Sequence, residues 1–134
     1  MIIRRQRITI IHTGKPSREL NDEIQWFCNS IGLFTNRDRD SSCYRVFVEL
    51  LKATRARQAL SSDAIGLNLS LSRGTVMHHI NRLMEAGVVS ESHSRYALRV
   101  GNLEVLVSEI ENDIRDTCNE LRKIAKRIDR ELGM

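Results

Sequence analysis

The residues best suited to chemistry lie in the segment SRGTVMHHINRLMEAGVV, positions 72–89, where two histidines stand side by side. Adjacent residues of a helix point about 100° apart, so His78 and His79 are poorly placed to share one metal ion. Metal-binding histidines on a helix are typically four positions apart, and the chain has no HExxH motif. We therefore expect no metal and no cofactor. Imidazoles in this arrangement are better suited to packing or to hydrogen bonding with a partner.

A helix over residues 72–86 is predicted to be amphipathic. Val76, Ile80 and Leu83 share one stripe, which we expect to be buried. His79 lies on the flank of that stripe and is predicted to be a structural, partly buried residue. The opposite half of the helix carries Gly74, Thr75, His78, Asn81, Arg82 and Glu85. Side chains such as Arg, Asn and Thr read base edges in the major groove, and the free N–H groups at a helix start favour phosphate.

Short elements must position this helix. A serine at 61 or 62 starts a preceding helix, LSLS forms a turn, Ser72 caps the helix in question and Gly87 follows its end. Residues 88–91 and 95–100 predict two short strands around the tip SHS. Upstream, Ser17 and a serine at 41 or 42 are predicted to cap two further helices. The fold class is therefore mainly α with a small two-stranded β-hairpin.

The stretch LSRGTVMHHINRLMEAGVVSESHSRYALR resembles the helix-turn-helix and wing of ArsR/MarR-like winged-helix transcriptional regulators. The resemblance covers residues 60–100 and implies a winged helix-turn-helix domain over residues 17–101 that binds double-stranded DNA. It also implies a β-wing that touches flanking DNA. The residues to which it gives groove or backbone contacts are Arg73, Thr75, His78, Asn81 and Arg82, and those at the wing are His93 and Arg95.

Residues 102–134 predict one long helix with a coiled-coil-like seam for dimerisation. Its apolar positions alternate by four and three, with Thr117 completing the register. A single helix cannot bury such a stripe alone, so we favour a homodimer, with a helix folded back on its own domain as the alternative. The seam residues are Leu103, Val107, Ile110, Ile114, Leu121, Ile124 and Ile128.

The first 16 residues predict a basic arm or a strand. The chain has a net charge of +4, and its first 18 residues carry five basic and no acidic side chains. Arg4 and Arg5 are predicted to contact phosphate. Ile8, Ile10 and Ile11 are good strand formers. Such a strand could pair with its copy or cap the sheet, and the alternative is a flexible, solvated arm.

Composition narrows the function classes. A chain of 134 residues suits one domain, and it shows no paired carboxylates, nucleophile–base arrangement or glycine-rich phosphate loop that would suggest an enzyme. No apolar run is long enough to cross a membrane. The cysteines at 28, 43 and 118 are widely spaced, which favours a reducing cytoplasm, with nucleoid association following from DNA binding.

We expect a homodimeric, sequence-specific DNA-binding regulator. The alternatives are an architectural chromatin protein with little sequence preference and a winged-helix module that binds another protein. The sequence identifies no small-molecule effector.

Overall fold

The described part of the chain, residues 5–12, 14–33 and 41–134 of the computed structural model, is mainly helical. It forms five helices and one small antiparallel sheet of three strands. In chain order the elements are α1 (Leu20–Ser30), α2 (Ser42–Arg55), β1 (Leu60–Ser61), α3 (Ser62–Leu69), α4 (Arg73–Glu85), β2 (Val89–Ser92), β3 (Arg95–Leu98) and α5 (Leu103–Leu132).

The sheet has the strand order β1–β3–β2. β2 and β3 form the predicted hairpin, in which Val89 pairs with Leu98. Its two turn residues, His93 and Ser94, have φ values of 53° and 60°, as a tight two-residue hairpin turn requires. β1 was not predicted, because two residues cannot show an alternating pattern; it adds the third strand by pairing with β3.

Side-chain caps start the last three helices. Ser61 and Ser72 are caps that the sequence predicts, and Asn102 caps the helix that is expected to run from that residue. Each cap satisfies one of the backbone N–H groups that a helix start leaves without an internal partner. The capping bonds run from Ala64 N to Ser61 Oγ (3.1 Å), from Thr75 N to Ser72 Oγ (3.2 Å) and from Val105 N to Asn102 Oδ1 (2.8 Å). α1 differs from the prediction, since it begins at Leu20 with Glu19 as its N-cap rather than directly after Ser17.

The core lies among α2, α3, α4, the hairpin and the first turns of α5. Its largest fully buried side chains are Phe47, Leu50, Ile65, Ile80, Leu83 and Leu106. The connection between α3 and α4 packs closely against Gly66, where an added Cβ would lie 2.8 Å from the carbonyl oxygen of Leu71. These contacts fix α4 relative to α3 and the sheet.

Residues 5–12 form no strand, which is one of the two alternatives that the sequence leaves open for this segment. Their hydrogen bonds instead go to the carboxyl ends of two helices, where carbonyl groups lack partners within the helix. Arg7 N donates to Glu85 O at 2.8 Å, and Ile11 N donates to Ser30 O at 2.9 Å. The Gln6 side chain donates to the Ala86 carbonyl at 3.1 Å. We call residues 5–12 the docked arm.

α5 joins the core through its first two turns and then leaves it. Leu106 and Ile110 are buried, whereas every residue from 119 to 134 is exposed. Arg99, just after β3, ties the helix to the hairpin by donating to Asp113 at 2.6 Å and to Glu109 at 3.4 Å. The hydrogen bond to Asp113 raises the pKa of Arg99.

Candidate nucleic-acid interface

α4 buries one side and exposes the other, as its sequence predicts. Val76, Ile80 and Leu83 have no accessible surface and His79 retains only 6%. The exposed side begins at the Ser72 cap and runs the length of the helix. We call it the α4 outer face; its exposed residues are Arg73, Gly74, His78, Asn81 and Glu85.

The start of the α4 outer face is open. An added Cβ at Gly74 would meet no described atom within 4 Å, so the packing of the domain does not require glycine there. Thr75 is half-buried, and its hydroxyl accepts a hydrogen bond from Ser72 Oγ at 2.9 Å. Thr75 therefore supports the cap, and its side chain is less exposed than the sequence predicts.

The two histidines have different surroundings. His79 is buried, and its Nε2 lies 2.6 Å from the hydroxyl of Ser42, the first residue of α2. This contact confirms His79 as a structural residue that links α4 to α2. His78 is exposed, with its ring edge-on to that of His79 at a centroid distance of 5.3 Å. His78 is therefore the one of the pair that a partner can reach.

Arg82 is less available than its sequence position suggests. It is half-buried, and its guanidinium donates to the carbonyl of Gly32 at 3.3 Å. Together with Arg7 and Thr9 of the docked arm it lines a cleft of about 290 Å³. Sequence reasoning missed this contact because its partners lie far away along the chain. Arg82 lies at the edge of the α4 outer face, and one of its donor groups is already bonded inside the domain.

The hairpin is attached to α4 beside this face. Tyr96 of β3 is buried, and its hydroxyl donates to Met77 Sδ of α4 at 3.8 Å. His93 at the tip and Arg95 are exposed, and Arg95 donates to the carbonyl of Ala59 at 3.4 Å. Both predicted hairpin residues are therefore accessible on a support that is fixed to α4.

The predicted arm residues divide between described and undescribed parts of the chain. Arg4 lies outside the described residues. Arg5 is exposed at the start of the docked arm. The arm lies against the ends of α1 and α4, because Gly32 and Gly87 leave room for it: an added Cβ would come within 2.6 Å of Thr9 Cβ at one and 2.4 Å of Gln6 Nε2 at the other.

The predicted dimerisation seam is not uniformly available. Ile110 is 7% exposed and belongs to the core, and Leu103 packs against that core. The first turns of α5 cover their own domain, so these two seam residues pack against its core. The remaining five are exposed to 41–62%: Val107, Ile114, Leu121, Ile124 and Ile128.

Two of the three cysteines, Cys28 and Cys43, are buried in the core. Burial, reinforced by the neighbouring Cys43, raises the pKa of the Cys28 thiol well above its usual value. Cys43 is equally buried and donates to the Leu33 carbonyl at 3.4 Å. A thiol becomes nucleophilic as the thiolate, so Cys28 is inert at neutral pH. Cys118 on α5 is half-buried.

No three His, Cys, Asp or Glu side chains in the described ranges are grouped as metal ligands would be. Within the same ranges, no helix has both the length and the apolar character needed to span a bilayer. No protein-family model, curated protein or solved structure matches the chain.

Proposed function

We propose that this protein is a homodimeric, sequence-specific DNA-binding regulator of transcription with a winged helix-turn-helix domain. In this proposal α3 and α4 are the helix-turn-helix, α4 enters the major groove, and the β2–β3 hairpin is the wing. Association with the nucleoid follows from the DNA binding. The observation that carries the proposal is the α4 outer face, which begins with an open glycine and continues into exposed hydrogen-bonding side chains.

The chemistry of that face suits base edges. The Asn81 amide carries a donor and an acceptor, the pair that bonds to the N6 and N7 edge of adenine. His78 lies one turn before it, and Gly74 lies one turn before His78, so all three share the exposed side. The bare backbone at Gly74 would let the start of the helix come close to DNA, as recognition helices do with their first turns.

The charges on α4 indicate how it would be oriented. Arg73 is exposed at the first position of the helix, where the N–H groups and the helix dipole also favour phosphate. Glu85 is exposed at the last position of α4. A carboxylate is repelled by phosphates, so we assign base contacts to the first half of α4 and place its end towards the protein side of the groove.

Exposed basic or hydrogen-bonding side chains near α4 would add contacts that position the protein without reading sequence. His93 and Arg95 on the hairpin would reach flanking DNA, and Arg5 at the start of the docked arm would add a phosphate contact. Such contacts release counterions, so binding should weaken as salt is raised. Arg82, bound to Gly32, would act mainly by holding the end of α4 against α1.

The test begins with selection of a binding site from randomised duplexes, followed by mobility-shift titrations on the selected site. His78→Ala and Asn81→Ala remove exposed side chains without touching the core. In a homodimer each variant removes one base contact in each half-site, at about 1–3 kcal/mol per contact. Binding to the selected site should therefore weaken by about 30- to 20,000-fold, the effect of about 2–6 kcal/mol, whereas binding to unrelated DNA should change little. Asn112→Ala, an exposed amide on α5, is the matched control and should bind as wild type does.

Three results would overturn the proposal in different ways. Unchanged affinity in both α4 variants would show that this face does not read bases. Equal affinity for selected and unrelated DNA would favour the architectural chromatin protein. Absence of binding to any duplex at low salt would favour a module that binds another protein.

A further inference from the structure

The second half of α5 has an apolar stripe that its own domain leaves uncovered. Leu121, Ile124 and Ile128 are exposed to 62%, 50% and 50%, and every residue around them is exposed as well. An isolated helix of this length is marginal in water, and most helical stability comes from packing of an amphipathic face. The stripe therefore needs a partner surface.

Charge divides α5 into two unlike halves. Residues 104–120 carry six acidic side chains and one basic side chain, whereas residues 121–134 carry five basic and two acidic side chains. The first half thus has a net charge of −5 and the second half of +3. Such a helix is complementary to a second copy of itself only when the copy runs in the opposite direction.

We propose that two copies of the chain pair through antiparallel α5 helices, with the two-fold axis near residue 119. This inference rests on the homodimer of the proposed function and specifies its geometry. A two-fold axis there sets Ile114 opposite Ile124 of the other copy and Thr117 opposite Leu121. Ile114 and Ile124 then meet on both sides of the axis, with Leu121 beside Thr117 between them, and the acidic half of each helix faces the basic half of the other.

The surface beside the first half of α5 has room for the end of the second copy. The docked arm forms one wall: Ile8 and Ile10 line a groove of about 250 Å³ with Ile114 and Cys118. Ile10 is 62% exposed at its edge. In the antiparallel pair, Ile124 of the other copy would lie on Ile114 beside this wall. The docked arm would thereby help to bury Ile124 of the other copy.

A parallel, in-register pair would have the opposite electrostatics. Each acidic half would lie beside an identical acidic half, at helix separations of about 8–10 Å. That spacing is comparable with the Debye length at physiological salt, so the repulsion would not be fully screened. Raising the salt should therefore weaken an antiparallel dimer and strengthen a parallel one, which sedimentation equilibrium at low and high salt can measure.

Distances between spin labels test the direction of pairing. The labels go on Ser108→Cys or Arg130→Cys in a Cys118→Ser background; Cys28 and Cys43 have no accessible surface and stay unlabelled. When both copies are labelled at the same site, the two labels should lie about 33 Å apart, because they are separated by about 22 residues along the helix pair at about 1.5 Å per residue. A mixture of the two labelled proteins should add a pair separated by only about one helix diameter.

The outcomes separate this inference from the proposed function. Same-site pairs at close range, with mixed pairs about 33 Å apart, would show parallel helices and overturn the antiparallel arrangement while leaving a homodimer. A monomer in sedimentation at every salt concentration would overturn the pairing and the homodimer together. Neither result decides whether α4 binds DNA, which the site selection and the α4 variants measure independently.

Discussion

Substitution of Gly32 by alanine tests whether the docked arm is part of the folded domain. Gly32 follows α1 with a φ of +72°, in the left-handed region that side chains other than glycine rarely adopt. An added Cβ would also lie 2.6 Å from Thr9 Cβ and 2.7 Å from Thr9 O. One of these atoms belongs to the backbone, so the arm itself would have to move.

The expected loss of stability in Gly32→Ala has two parts. The left-handed backbone costs about 1 kcal/mol with any side chain that has a Cβ. Displacement of the arm forfeits the hydrogen bond from Ile11 N to Ser30 O, about 1 kcal/mol. It also re-exposes part of the half-buried Ile8, about another 1 kcal/mol. The free energy of unfolding should therefore fall by about 3 kcal/mol in the full chain.

Urea denaturation followed by circular dichroism, at one fixed protein concentration, measures the backbone cost and the cost of displacing the arm. In a chain that lacks residues 2–11, Gly32→Ala should cost only the backbone part, about 1 kcal/mol. Gly133→Ala is the control, because Gly133 has a φ of +70° and open space around it, and its small cost should be the same in both chains. An equal loss for Gly32→Ala in both chains would refute the docking of the arm.

Three further predictions concern other parts of the chain. Gly74→Ala should stabilise the protein by up to about 0.5–1 kcal/mol in thermal unfolding, because the added Cβ meets open space. The same variant should bind DNA more weakly in a mobility-shift assay, and unchanged binding would show that Gly74 is not part of the interface. Arg99→Ala should lower the unfolding free energy by about 1 kcal/mol through loss of the ion pair with Asp113, and no loss in urea denaturation would contradict that link. Cys28 and Cys43 should react with a thiol reagent only after denaturation, and rapid modification of either in the native protein would contradict their burial.

Local sequence signals predicted α4 and the hairpin well. Ser72 supplies a cap, Gly87 supplies a positive φ of 79° after the helix, and the apolar stripe between them has helical spacing. Each of these signals involves residues only a few positions apart, so it can be recognised from a single sequence. The same holds for α5, whose start at Asn102 and repeated stripe mark a helix over Leu103–Leu132.

Contacts between distant residues were not predictable in this way. The docked arm has the β-branched composition of a strand, but its partners are the carbonyls of Ser30 and Glu85, which no local pattern reveals. The hydrogen bond from Arg82 to the Gly32 carbonyl was not predictable for the same reason, because the two residues lie far apart along the chain. The burial of Ile110 in its own domain depends on where the core ends, which the heptad spacing alone does not fix.

The central claim, that the α4 outer face reads base pairs, is tested most directly by repeating the binding-site selection with Asn81→Ala. The selected motif should lose its preference at one base-pair position in each half-site and keep the others, because a single amide reads one base edge. A motif identical to that of the wild-type protein would contradict the claim.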